Sequence, residues 1–291
     1  MYAHHFGLKE APFNLSPEPR YFFLCSQYED ALACLKYGIA ERKGFIAITG
    51  EIGTGKTTLC RHILNTFSDT IETALIINSY VSEVELLETI NDEFGISLRG
   101  WEKSRKNYID ALNDFLLKNF AAGKNAVLII DEAQNLSFAA LEQIRMISNL
   151  ETDREKLIQI VLIGQPELND ILQSPALRQL NDRITVRCNL SNLDHEDIPI
   201  YIDHRLKIAG YGHVSFSRKA CNLIYDLTGG NPRRINALCD RSLLVAYAEN
   251  KKEIDKKTVK AAFKDIGAVY FCGVTARKSL MKRVSSFFQR H

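Results

Sequence analysis

The nine residues Gly50-Glu51-Ile52-Gly53-Thr54-Gly55-Lys56-Thr57-Thr58 constrain this chain more than any other stretch. They follow the short apolar run Phe45-Ile46-Ala47-Ile48 and precede a segment, residues 59–67, able to form a helix. The order is strand, glycine-rich turn, helix. Glycines here accept backbone angles that a Cβ forbids, so successive N–H groups can wrap around a polyphosphate. The helix behind adds an electropositive N-terminus. Gly50, Gly53, Thr54, Gly55 and Thr58 would line the phosphates, and Lys56 would reach the β- and γ-phosphates. The Thr57 hydroxyl would enter the coordination shell of Mg²⁺.

Residues 126–132 read Ala126-Val127-Leu128-Ile129-Ile130-Asp131-Glu132, an apolar strand ending in two carboxylates. Adjacent acids at the tip of a buried strand are costly unless something binds them. A Mg·nucleotide is such a partner: Asp131 would hold Mg²⁺ through its water shell, and Glu132 would orient the attacking water and accept its proton. A fourth strand at 157–164 ends at Gln165-Pro166, where Gln165 can touch the γ-phosphate or that water. A short basic helix at 177–184 then carries Arg178 and Arg183 into a fifth strand at 185–190. These arginines either pair with surface acids, for under about 1 kcal/mol, or reach the nucleotide of a neighbouring subunit.

Composition narrows the remaining classes. A chain of 291 residues can bury a real core, and its length suggests about two domains. Its longest apolar runs, such as 126–130 and 160–163, fall far short of the roughly 20 residues that cross a bilayer. The opening Met1-Tyr2-Ala3-His4-His5 is no secretory signal, so a cytoplasmic location is expected. A formal net charge of +2 argues against a surface built wholly for nucleic acid. The seven cysteines lack a Cys-x-x-Cys pair and read as reduced, mostly structural thiols. Cys60, near a helix N-terminus, is either an oxidation-sensitive thiol of lowered pKa or a small buried helix residue.

Residues 2–20 form a Phe- and Pro-rich leader, too proline-broken for a helix or a central strand. Its aromatics either wall an adenine pocket or simply pack. A helix opens at Ser26 or Gln27, a strand spans 73–79 with Asn78 at its carboxyl end, and Ser82 with Glu85 forms a capping box for the next helix. From Asp194 only helical text follows: near 198–208, after Ser217, after the Gly229-Gly230-Asn231-Pro232 break, and near 255–266. Three parts result: 1–192, leader and α/β nucleotide-binding domain; 193–267, a helical domain; and 268–291, a tail. The tail carries Arg277, Lys278, Lys282, Arg283 and Arg290 without an acid, and sets Leu280, Val284 and Phe287 on one helical face. It is a basic amphipathic helix for an anionic membrane or a partner, or else a frayed end.

The phosphate loop, the Asp131-Glu132 strand end, the arginines before the fifth strand and the Gly-Asn-Pro-Arg turn together resemble the AAA+ ATPases. The leader HHFGLKEAPFNLSPEPRYFFLCSQYEDALACLKYGI, the stretch NLETDREKLIQIVLIGQPELNDIL and the segments YIDHRL and GGNPRRINALCDRSLL are similar to the ExeA-type secretion ATPases, and among those to the MSHA pilus ATPases. The resemblance implies an α/β P-loop fold, with a parallel five-stranded sheet in the order 5-1-4-3-2 and a C-terminal all-helical lid. It makes Gln165 the sensor 1 residue, Arg233 the sensor 2 arginine, and Arg183 the arginine finger supplied in trans, with Arg178 as second candidate. Asn78 matches the polar residue that restrains the acid corresponding to Glu132. The same resemblance implies ATP and Mg²⁺, a homo-oligomeric ring or filament, secretion or pilus assembly proteins as partners, and peripheral contact with the inner membrane through 268–291. Two other readings share the core: a DNA-dependent ATPase regulating transposition, and a nucleotide-gated scaffold with little turnover.

Overall fold

A computed structural model of the chain describes residues 1–16, 18–64, 67, 70–77, 79–98, 103–152 and 155–267. Asn78 and the basic tail 268–291, both singled out above, lie outside the described residues. In chain order the first elements are α1 (Tyr2–His5), α2 (Ser26–Ala40), β1 (Phe45–Gly50), α3 (Lys56–Leu64), β2 (Ile71–Ile76), α4 (Glu83–Glu93), α5 (Arg105–Ala121) and β3 (Asn125–Ile130). Then come α6 (Phe138–Ile147), β4 (Gln159–Gly164), α7 (Glu167–Leu172), α8 (Arg178–Asn181) and β5 (Ile184–Leu190). The remainder is α9 (Asp197–Ile208), β6 (Ser215–Phe216), α10 (Arg218–Thr228), α11 (Pro232–Ala248), β7 (Glu253–Ile254) and α12 (Lys256–Ile266). Single 3₁₀ turns lie at Pro19–Tyr21, Ala133–Asn135 and Pro175–Leu177.

The chain divides into two units. The α/β unit comprises Ser26–Ile52 and Lys56–Ser191. Its five strands are all parallel in the order β2-β3-β4-β1-β5, the expected 5-1-4-3-2. Strands β1 and β4 are buried along their whole length, and β3 everywhere but Asn125. Continuous apolar runs suit strands covered on both faces by helices. At the edge, β5 exposes Thr185, Arg187 and Asn189, polar residues that blunt an open strand. Leu86, Leu112, Leu116 and Ile144 bring α4, α5 and α6 onto the sheet core. Helix α4 opens with the expected capping box: Glu85 N–H donates to Ser82 Oγ, and Ser82 N–H donates back to the Glu85 carboxylate at 2.8 Å. Because every strand runs the same way, the carboxyl ends of β1, β3 and β4 meet at one edge, which gathers Gly50, Asp131 and Gln165.

The helical unit comprises Met1–Cys25, Gly53–Gly55 and the chain from Asn192 onward. The leader therefore groups with the helices and not, as expected from sequence, with the α/β body. Arg205 explains why. This guanidinium, on α9, is 6% exposed and donates to Pro12 O at 2.6 Å, Asn14 O at 3.3 Å and the Tyr201 hydroxyl at 3.0 Å. It also lies 4.7 Å from the centre of the Tyr21 ring, a cation–π contact. Phe6, Phe13 and Tyr21 are buried, as is Leu8, so these leader side chains pack within this unit.

Helix α9 places Pro199 in its opening turn, where the missing N–H costs no hydrogen bond. Ser217, Asn231 and Asp255 cap α10, α11 and α12 through their side chains. The unit is not purely helical: β6 and β7 form a parallel pair, Ser215 with Glu253 and Phe216 with Ile254. Strands of two residues carry no periodicity, which is why the sequence showed only helices. Among the described residues no helix is long and apolar enough to cross a membrane.

Candidate active site

The phosphate loop is built as its glycines require. Strand β1 ends at Gly50 and α3 begins at Lys56; between them Gly53 and Gly55 adopt φ of 82° and 92°. These left-handed angles are strained for any residue with a Cβ. Thr54 is fully buried. At Gly53 a Cβ would lie 2.6 Å from Arg233 Cβ and 2.8 Å from Asn231 Oδ1. Gly53–Gly55 belong to the helical unit, where Arg233 N–H donates to Gly53 O at 3.3 Å. Asn231 caps α11 by accepting from Arg234 N–H at 3.2 Å, so the expected sensor 2 arginine sits in a helix's first turn, its side chain exposed. A loop whose close approach only glycine permits, followed by a helix N-terminus, fits a polyphosphate.

In the α/β unit, Lys56 is 6% exposed, and its Nζ donates to Gly50 O at 2.7 Å and Glu51 O at 3.0 Å. Burial pushes this ammonium below its ordinary pKa, against the opposing pull of Glu132, Asp131, Glu51 and Glu167. The Thr57 hydroxyl donates to Asp131 Oδ2 at 2.6 Å. Asp131 is 3% exposed; its other oxygen accepts from Glu132 N–H at 2.9 Å, and its carbonyl from the Ser79 hydroxyl. A hydroxyl and a carboxylate in contact are hard oxygen donors, which suit Mg²⁺, an ion that keeps most of its waters and borrows phosphate oxygens. Among the described residues no cluster of three or more His, Cys, Asp or Glu could hold a metal.

Glu132 follows β3 in the left-handed region, φ 52° and ψ 38°. Its Oε2 accepts two amide N–H groups, from Gln134 at 2.6 Å and from Gln165 at 3.1 Å. Burial pushes this carboxyl up, but those two donors and the Lys56 charge outweigh it, so it sits below the ordinary carboxylate value. Gln165 was expected beside a γ-phosphate or water; the structure brings it to Glu132. Gln134 was not foreseen, although its place two residues past the acid pair was the available signal. Also unforeseen is a polar tie under the loop: Asn169 Nδ2 donates to Thr49 Oγ1 at 3.3 Å, and Thr49 Oγ1 to Asn189 Oδ1 at 3.3 Å.

Two expected groups are not brought to this site. Ile184 pairs with Phe45 at the amino end of β1, whereas Leu190 pairs with Gly50 at its carboxyl end. Arg183, just before Ile184, is therefore about 20 Å along the sheet from the phosphate loop of its own chain. Its Nη1 donates to Ser148 Oγ at 2.9 Å and Asn149 Oδ1 at 2.5 Å. Arg178 is exposed on α8. Cys60 is buried in α3, and burial pushes its thiol up, against the reading of a reactive low-pKa cysteine.

A parallel sheet of this order, a glycine-rich loop ahead of a helix and an acid pair at the tip of β3 are the marks of the AAA+ fold, and residues 39–172 match the AAA domain family. The chain is 43% identical over 269 residues to General secretion pathway protein A of Aeromonas hydrophila, across 92% of this chain and 49% of that protein. The chain thus spans about half the length of the curated relative it matches. Among solved structures, it superposes on Cdc6p from Pyrobaculum aerophilum with a TM-score of 0.70 and 19% identity, covering 89% of this chain and 71% of that one. The ORC2 protein of Aeropyrum pernix, in its ADPNP-ADP complexes, gives 0.68 and 17%, covering 89% and 72%. At such identities the likeness is one of fold.

Proposed function

We propose that this chain works as a homo-oligomer that hydrolyses Mg·ATP, and that its cycle assists assembly of a type II secretion or type IV, MSHA-like, pilus machine. The observation that carries the chemistry is the juxtaposition at one sheet edge of Lys56, the Thr57–Asp131 pair and the restrained Glu132 carboxylate. In this reading Gly50, Gly53, Thr54, Gly55 and Thr58 hold the phosphates through the loop and helix N-terminus. Lys56 binds the β- and γ-phosphates, and Thr57 and Asp131 hold the ion. Mg²⁺, when bound, neutralises charge between the β- and γ-oxygens. Glu132, ionised at neutral pH, takes the proton of the attacking water. Gln165 orients Glu132, Arg233 contacts the phosphates, and Arg183 of a neighbouring subunit stabilises the transferring phosphoryl group.

The assembly role rests on the 43% identity to a general secretion pathway protein. In this reading the protein works at the cytoplasmic side of the inner membrane, with 268–291 as its peripheral contact. Glu132→Gln tests the chemistry: it should retain ATP and lose about two to four orders of magnitude in turnover. Near-normal hydrolysis would overturn the assignment. Secretion or pilus proteins co-purifying with that ATP-trapped variant would support the assembly role, and duplex DNA stimulating the ATPase would displace it.

A further inference from the structure

We infer that Gln134 is a positioning residue for Glu132, holding one carboxylate oxygen in place and so fixing the orientation of the carboxylate. The inference rests on the reading of Glu132 as the general base. Three contacts close a ring among residues from two strand ends. Gln134 Nε2 donates to Glu132 Oε2 at 2.6 Å, Gln165 Nε2 donates to the same oxygen at 3.1 Å, and Gln165 backbone N–H donates to Gln134 Oε1 at 3.0 Å. The third contact decides the orientation of the first. A side-chain amide that accepts from a backbone N–H must turn its NH₂ the other way, here onto the carboxylate; a flipped amide would set oxygen against oxygen.

Two further observations show that this ring is built into the backbone. Glu132 lies at positive φ, a conformation that persists in a non-glycine residue only where its surroundings over-determine it. Gly164, the last residue of β4, leaves the space the amide uses: a Cβ there would come within 2.8 Å of Gln134 Oε1 and 2.9 Å of Leu168 Cδ2. Gln134 is neither charged nor able to accept the proton of a lytic water at neutral pH. Its contribution passes through Glu132, by fixing which oxygen accepts the two amides. The other charged groups facing Glu132 are Lys56 on α3, which favours ionisation, and the adjoining Asp131, while Glu51 and Glu167 act on Lys56.

The test is a double-mutant cycle on the full chain, with steady-state ATPase, ATP affinity and thermal midpoint measured for each protein. Gln134→Met matches the length without the donor. It should lower kcat by about tenfold, part of what a general base contributes, while leaving ATP affinity unchanged. Gln134→Asn, one methylene short, should lower kcat in the same direction. In the Glu132→Gln background, Gln134→Met should have no further effect, since a residue that acts only through another is non-additive with it. A full tenfold loss in that background, or a loss that appears in KM and not in kcat, overturns the inference while the base reading stands. Persistent turnover in Glu132→Gln alone overturns the base reading first.

Discussion

Arg183 offers a sharp prediction because its own fold forbids it from serving its own site. It stands before the amino end of β5, with Ile184 level with Phe45, while the phosphate loop leaves the opposite end of β1. About 20 Å of strand separates them, beyond the reach of an arginine side chain. If Arg183 acts, it acts on a neighbour. Arginine fingers supplied in trans are worth about three to five orders of magnitude in kcat, so Arg183→Ala should be nearly inactive. The substitution removes hydrogen bonds to Ser148 and Asn149 at a partly exposed site, a loss of about 1 kcal/mol that should leave the fold intact. The decisive assay mixes two dead proteins. A Glu132→Gln subunit keeps its finger but lacks a base, and an Arg183→Ala subunit keeps its base but lacks a finger. In a random 1:1 oligomer about a quarter of the interfaces join an intact base to an intact finger. Activity should therefore rise from near background to about a quarter of wild type if interfaces act independently. No recovery from oligomers shown to exchange subunits would refute the trans assignment. Recovery with Arg178→Ala in place of Arg183→Ala would move the role to the second arginine.

Two more expectations follow from the local geometry. The Glu132 carboxyl is held below its ordinary value, so its base form survives to a lower pH than that of a glutamate in the usual carboxylate range near about 4.3. The acid limb of kcat/KM should accordingly lie below that range, and a limb above it would contradict the restrained carboxylate. Gly230 adopts φ 77°, and a Cβ there would meet Leu193 O at 2.0 Å, where Leu193 N–H also donates to Gly230 O at 2.9 Å. Gly230→Ala should cost more than about 2 kcal/mol in urea unfolding, whereas Gly123→Ala, also at positive φ but with nothing near its Cβ, should cost only about 1 kcal/mol.

What was legible in the sequence is what local chemistry dictates. The order of strand, glycine loop and helix, the acid pair at the tip of β3 and the capping box of Ser82 with Glu85 each declare themselves within a few residues, because backbone angles and unpaired N–H groups leave few alternatives. The resemblance supplied the strand order, which periodicity alone does not encode. What escaped depends on partners far along the chain. The leader's aromatics read as needing burial, but the group that gathers them is Arg205, whose guanidinium meets Pro12 across 193 positions. Gln134 stood in plain view beside Glu132. Yet a glutamine after an acid pair has no meaning until β4 brings the Gln165 backbone N–H, 31 positions later, onto its carbonyl and so turns its amide toward the carboxylate. A parallel sheet creates such encounters systematically, since it sets the ends of strands that are distant in sequence side by side. Here that crowding surrounds the proposed base with neutral amides that favour its charge without competing for its proton, an environment that no single stretch of the chain specifies.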